Sequence, residues 1–266
     1  MKLSQRVAVV VGAGQTPGPT IGNGRATALL FAREGAKVLA VDHNLSSAEE
    51  TVGMIRAEGG EAAAFEADVN DENTLKAMVV ACVESWSTLD ILHYNVGVSV
   101  AGGDAPVTEI SVEAFDRIMS LNLRGSVLAC KHALPVMRKQ GRGVIINISS
   151  TASHETYPWV SYKASKSAMV AVTKQLALQN AEFGIRVNAI LPGLMNTPMA
   201  VNARVEAWGR SREDVVAERD ARVPLGQKMG SAWDVAHAAA FLASDEAKFI
   251  TGVALPVDGG ASCRRG

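Results

Sequence analysis

Cysteine is scarce in this chain: Cys82, Cys130 and Cys263 are odd in number, far apart and without a CxxC pair. That rules out a disulfide scaffold and a cysteine-built zinc site, and it suits a reducing compartment, with the cytoplasm as the default. Neither sign of charge is in excess. The 26 Lys and Arg against 27 Asp and Glu give a net charge of -1, which removes the global field that would draw nucleic acid or an anionic membrane. Long apolar runs are missing too. The basic start Met1 to Arg6 leads into the apolar run Val7 to Val11, too short for a signal peptide, and no stretch approaches the length of a transmembrane helix. No His, Asp or Glu cluster has metal-ligand spacing, so no metal is expected. Linkers, repeats and low-complexity tracts are also absent, and residues 1–266 read as a single domain.

What is present is an alternation. Short β-branched runs occur at Val7 to Val11, Lys37 to Val41, Glu61 to Glu66, Leu89 to Tyr94, Gly143 to Ile148, Gly184 to Leu191 and Gly252 to Val257. Between them lie helical patterns at Arg25 to Glu34, Ser46 to Glu58, Asn73 to Glu84, Ser111 to Arg138, Ser161 to Glu182 and Ala232 to Ser244. Apolar strands alternating with amphipathic helices spell an α/β class, a doubly wound parallel sheet of about seven strands with helices on both faces. One segment breaks the composition: Ala200 to Arg222 is dense in Arg, Glu and Asp and reads either as a solvated helix pair or as a lid over a site, about 194–223.

The first strand runs into Gly12-Ala13-Gly14, and Gly22-Asn23-Gly24 opens the first helix. Glycines there let backbone N–H groups and the helix N-terminus approach a pyrophosphate. Asp42 ends the second strand, where a carboxylate can accept both ribose hydroxyls of adenosine and would repel a 2′-phosphate, which favours NAD over NADP. Asp68, followed by Val69 after the third strand, suits either an adenine edge or a helix cap.

Tyr162 is one of three tyrosines, and it alone has a lysine, Lys166, at i+4 on the same helix face. The strand Gly143 to Ile148 delivers Ser149 and Ser150 at its carboxyl end, where open α/β sheets place ligands.

With these residues the sequence resembles the short-chain dehydrogenase/reductase family, in its single-domain Rossmann-type branch, over nearly the whole chain. Asn95 and Gly97 in Tyr94-Asn95-Val96-Gly97 match the element after the fourth strand, although Tyr94 and Val96 depart from it. Asn122, Ser150, Tyr162 and Lys166 match the catalytic positions, and Pro192, Gly193 and Thr197, with Asn188 before them, match the segment that contacts the nicotinamide. Val257-Asp258-Gly259-Gly260 matches the last strand and turn. Two departures stand out. Six extra residues, including Pro17, Gly18 and Pro19, lengthen the first glycine turn, and the interval from Ser150 to Tyr162 is one residue short, so Ser149 stays open as the alternative serine.

The resemblance implies hydride transfer between a secondary alcohol and its ketone, with NAD as cofactor, Tyr162 as acid/base, Ser150 on the substrate oxygen, Lys166 on the nicotinamide ribose and Asn122 holding a relay water. A neutral-pH base requires a tyrosine pKa lowered by about 2 to 3 units, expected from Lys166 and a positive nicotinamide. Substrate contacts are expected from Val98, Trp159, Met195, Leu194 and the lid, and their apolar lean suits a medium-sized cyclic or aromatic compound. His154 reads as a solvated loop residue. The family also implies a homotetramer or homodimer packed through the two long helices. Two competing readings remain: an NADP-dependent carbonyl reductase, and a protein that binds NAD without chemistry.

Overall fold

A computed structural model describes residues 1–264. Seven strands form one sheet: β1 (Val7–Val11), β2 (Lys37–Asp42), β3 (Ala62–Glu66), β4 (Ile91–Tyr94), β5 (Gly143–Ile148), β6 (Ile185–Pro192) and β7 (Ala254–Val257). Their order is β3-β2-β1-β4-β5-β6-β7, with every neighbouring pair parallel. The central strands β1, β4 and β5 are buried at every position because helices cover both faces.

On one face pack α1 (Asn23–Arg33), α2 (Leu45–Ala57) and α9 (Ala232–Ala243), whose Phe31, Ile55 and Val235 meet Val10, Val38 and Ile146. On the other lie α3 (Glu72–Trp86), α5 (Gly125–Gln140) and α6 (Val160–Asn180), whose Met78, Met137 and Met169 meet Val9, Leu39 and Ile145. Alternate residues of each strand serve opposite faces, as the pleat requires. Caps fix the helix starts: Asp71 accepts from the Asn73 amide, and Ser231 and Asp234 form a capping box on α9. Asp71 thus takes the capping role that Asp68 was also suited to, and Asp68 instead accepts from the Asn70 backbone and side-chain amides.

The long helix expected over Ser111 to Arg138 is broken in its middle. It consists of α4 (Val112–Met119), a π-turn over Ser120–Arg124 and then α5. The wider turn frees the Leu121 carbonyl, which accepts a hydrogen bond from the Tyr94 hydroxyl at 2.6 Å. Gly125 makes room for it, since a Cβ there would lie 2.3 Å from that hydroxyl. Tyr94, a departure from the family element, therefore has a structural partner of its own. The charged segment forms two short helices, α7 (Pro198–Trp208) and α8 (Arg212–Ala221), with a small separate core of Val201, Val215, Val223 and Met229.

Strand order reverses between β1 and β4, and ligands of open α/β sheets bind in the crevice that this reversal opens at the carboxyl ends. Just below it His93 of β4 is wholly buried against Phe31, and neither ring nitrogen has a hydrogen-bond partner. Burial lowers its pKa to about 3. The unfolded chain takes up a proton near pH 6.5 that the folded chain refuses, so this contribution is complete above that pH and is lost as pH falls toward 3. Between pH 7.5 and pH 5 urea unfolding should show the protein losing about 2 kcal/mol more than His93→Leu loses. Equal losses would mean that the imidazole charges in place.

Candidate active site

At the crevice the first glycine turn is held by backbone contact. Gly12 has φ +81°, and a Cβ on Gly24 would lie 1.8 Å from the Gly12 carbonyl oxygen, so α1 can approach β1 only with glycine there. Asn95 donates its Nδ2 to that same carbonyl at 3.2 Å and ties the end of β4 to the turn. The inserted loop folds back on itself: Gln15 Oε1 accepts from the Gly22 amide at 2.9 Å, and the Gln15 amide donates to Ser47. Beside it Thr20 Oγ1 and Asn23 Oδ1 are buried with no partner among the described residues. An unpartnered hydroxyl beside a glycine turn and a helix N-terminus is a donor set suited to a phosphate.

Asp42 stands at the end of β2 with both oxygens in use, Oδ2 accepting from the Gly14 amide at 2.9 Å and Oδ1 from the Asn44 amide at 3.1 Å. Arg25, the cation that opens α1, is buried and spends its guanidinium on Thr51, Ser47 and Glu50. Val69 is buried under α5 and packs beside Gly125. On the far side of the crevice, a Cβ at Gly193 would collide with Asp258, so Gly193 lets β6 and the last turn meet after Pro192. Thr197 caps α7, its Oγ1 accepting from the Ala200 amide.

The chemistry-bearing residues converge at the β4, β5 and α6 ends. Asn122 sits in the π-turn and is fully buried. Its Oδ1 accepts from the Val98 amide at 2.7 Å, and its Nδ2 donates to the Val98 carbonyl and to Ser165 Oγ, both at 3.0 Å. One side chain thereby joins the π-turn, the loop after β4 and α6. Gly97 lies against Lys166, since a Cβ there would be 3.0 Å from Nζ. The buried Lys166 Nζ donates to the Ile148 carbonyl at 2.8 Å and lies 5.7 Å from the Tyr162 ring centre.

The two serines separate cleanly. Ser149 is buried and donates its hydroxyl to the Lys166 carbonyl at 2.8 Å, whereas Ser150 Oγ accepts from the Ala152 amide at 3.2 Å, keeps its own proton free and favours ionisation of the Tyr162 phenol. Ser149 is thus occupied, and Ser150 is the hydroxyl available beside the tyrosine.

In the chain alone burial dominates the electrostatics of the tyrosine. Burial pushes the half-buried Tyr162 phenol up to about 12, with neighbouring Tyr157 adding to it, and Ser150 and Arg204 pull against this without prevailing. Burial also lowers Lys166 to about 7. Within the chain alone, both groups are therefore driven toward their neutral forms.

Of the expected substrate contacts, Val98 borders the site and is pinned through its backbone by Asn122. Trp159 packs edge-on against Tyr157, ring centres 5.4 Å apart, and Tyr157 in turn lies 5.3 Å from Tyr162. Met195 instead belongs to the core, 4% exposed, with its sulfur against Gly230. His154 is an exposed loop residue bonded to Ser153, as expected. Asp104 escaped the sequence reading. Its buried carboxylate accepts from the Ser161 and Tyr162 amides at 3.2 and 3.0 Å, capping α6, whose own N-cap residue Trp159 offers no side-chain cap.

Comparison with known proteins decides the family. A family model described as enoyl-(acyl carrier protein) reductase matches residues 20–262. The chain is 41% identical to 3beta-hydroxysteroid dehydrogenase 1 of Eggerthella lenta, over 91% of this chain and 90% of that one. It belongs to the short-chain dehydrogenase/reductase family. A second relative of this family of oxidoreductases is the 2,5-dichloro-2,5-cyclohexadiene-1,4-diol dehydrogenase of Sphingobium indicum, 38% identical over 98% of each chain. The crystal structure of a levodione reductase superposes with a TM-score of 0.92 at 32% identity, covering 99% of this chain and 100% of that one. As a short-chain dehydrogenase/reductase the chain has the Rossmann-type architecture of these neighbours. No helix among the described residues is long and apolar enough to cross a membrane.

Because Asp104 supplies the α6 cap from another loop, Asp104→Ala should cost about 1 to 2 kcal/mol and lower Tm by roughly 2 to 8 °C. Calorimetric melting checks this. Asp104→Asn, which keeps an acceptor oxygen, should recover most of the loss, and an unchanged melt in Asp104→Ala would remove the capping role.

Proposed function

We propose that the protein transfers hydride between a secondary alcohol and its ketone with NAD, using Tyr162 as the acid/base. The observation that carries this reading is the convergence of Ser150, Tyr162 and Lys166 beside the crevice at which β1 and β4 diverge. The relatives act, by their names, on a hydroxysteroid, a cyclohexadiene diol and levodione, which supports alcohols and ketones on rings as the substrate class.

Bound NAD supplies the hydride acceptor and, when oxidised, a positive charge. Gly12, Gly22 and Gly24 would admit its phosphates, Asp42 its adenosine ribose, Asp68 and Val69 its adenine, Asn95 and Gly97 the middle of the crevice, and Pro192, Gly193 and Thr197 the nicotinamide end. Asp42 supports NAD over NADP: a 2′-phosphate would meet a carboxylate whose neighbouring arginine, Arg25, is already spent on Thr51 and Glu50.

In this mechanism Ser150 hydrogen-bonds the substrate oxygen and orients it. The Tyr162 hydroxyl gives that oxygen a proton in reduction and takes it back in oxidation. Lys166, held by the Ile148 carbonyl, contributes a charge beside the phenol whenever it is protonated. Asn122 keeps the Val98 loop in place with its side chain. The helices α7 and α8, with their separate small core, act as the lid. A homotetramer is supported by apolar residues exposed on the long helices, among them Val127 and Leu178, and by a fully exposed Phe249. A cytoplasmic setting is supported by three unpaired thiols.

A 340 nm assay over secondary alcohols, diols, hydroxysteroids and their ketones, with each cofactor in turn, tests the reading. Asp42→Ala should shift the kcat/KM ratio of NAD to NADP by roughly 10- to 100-fold toward NADP; an unmoved ratio would take the ribose role from Asp42. Tyr162→Phe should lose about 10²- to 10⁴-fold in kcat while calorimetry shows NAD binding unchanged, and full retained turnover refutes the acid/base assignment. Since burial holds the phenol up at about 12, its proton-donating form persists through neutral pH. Ketone reduction should accordingly stay flat from pH 6 to 9 while alcohol oxidation climbs.

A further inference from the structure

Two buried arginines of this chain have very different surroundings. Arg25 and Arg219 are each 5% exposed. The guanidinium of Arg25 is answered by Glu50 at 2.9 Å, by Thr51 and by Ser47. That of Arg219, in the last turn of α8, donates from Nε to the Met229 thioether at 3.2 Å and from Nη2 to the Met195 carbonyl at 3.4 Å. A thioether is a weak acceptor, and a guanidinium carries five donors in a planar fork. On its own helix Glu218 pairs with Arg210 and Asp220 accepts from the Met229 amide, so neither bonds to it, and the Glu218 charge acts on it only without contact. Arg219 forms no salt bridge among the described residues. A cation removed from water without a counter-charge is costly, and burial lowers its pKa to about 9.

Arg204 of α7 adds a second such cation. It is half-buried, donates to the Ala200 carbonyl of its own helix and lies 5.8 Å over the Trp208 ring, again without a carboxylate among the described residues. Both side chains bear on the same place. The charges of Arg204 and Arg219 favour ionisation of the Tyr157 hydroxyl, and that of Arg204 also favours ionisation of the Tyr162 hydroxyl. The Met195 carbonyl that Arg219 reaches follows directly on the Pro192–Gly193 turn at the end of β6. The nearby carboxylate of Asp104 is committed to the α6 amides of Ser161 and Tyr162.

We infer that the substrate carries an oxyanion group, a carboxylate, sulfonate or phosphate, away from its reacting carbon, and that Arg219 with Arg204 of the lid receives it. The inference rests on the dehydrogenase reading of the site and specifies its substrate class. Two oxygens of such an anion match the guanidinium fork and supply the missing counter-charge. It also gives the lid a reason to close, since two cations on separate short helices converge on one anion of the bound molecule.

The test uses a matched pair, 4-acetylbenzoate and its methyl ester, titrated calorimetrically into the NADH-saturated enzyme and compared as reduction substrates at 340 nm. The acid should bind, and be preferred in kcat/KM, by roughly 10- to 100-fold over the ester, the range expected of charge-assisted hydrogen bonds. Arg219→Met should bring that ratio close to one, and Arg219→Lys should keep part of it. Being a ratio within one preparation, it is insensitive to the folded fraction. Equal binding of the two by the unmodified enzyme, tighter binding of the ester, or binding of neither overturns the inference, as does an unaltered ratio in Arg219→Met. Tighter binding of the acid without turnover of any alcohol or ketone would instead overturn the dehydrogenase reading and leave the anion site standing.

Discussion

A parallel sheet ends in carbonyl and amide groups that no neighbouring strand can use, and at the carboxyl edge of this one side chains answer them. Lys166 donates to the Ile148 carbonyl and Asn95 to the Gly12 carbonyl, Asn122 takes both backbone groups of Val98 in the loop after β4, and Tyr94 of β4 donates to the Leu121 carbonyl of the π-turn. Buried backbone groups must be paired, so these contacts are demanded by stability before chemistry is considered. They also fix where the ammonium, the asparagine and the glycine turn stand relative to one another. Backbone satisfaction and site geometry are, at this edge, the same set of bonds.

That arrangement sets burial against charge. Tyr162 is driven up and Lys166 down, each toward the form that carries no charge, because burial penalises the charged form of both. A charged form of either group is stable only with a compensating charge beside it. Arg219 is under the same constraint, being a buried cation that among the described residues hydrogen-bonds to a thioether and a carbonyl. These three groups share one trait, burial that disfavours their charged forms.

Much of this was legible in the order of residues. Val7 to Val11 announces a strand covered on both faces, and the i+4 spacing of Tyr162 and Lys166 announces a shared helix face; both hold. Strand starts were read one or two residues early at β3, β4, β6 and β7, since Glu61, Leu89, Gly184 and Gly252 each precede the first ladder partner. The π-turn was hidden because Ser120 to Arg124 keeps a helical pattern while its carbonyls shift partners. The choice between Ser149 and Ser150 needed to know which hydroxyl already had an acceptor, a tertiary fact. Asp104 acts on amides 57 and 58 positions away, a separation over which local pattern says nothing. Local spacing likewise shows the lysine beside Tyr162 and not the depth of burial, which in the chain alone raises the phenol.

The inserted loop is joined to the lid. Asn202 of α7 donates to the Pro17 carbonyl at 3.0 Å, and Gly18 packs so closely on Pro198 and Asn202 that a Cβ there would lie 2.7 Å from the Asn202 amide nitrogen. The residues that lengthen the first turn therefore tie the glycine turn to α7, so α7 cannot swing away without breaking this tie or drawing the glycine turn after it.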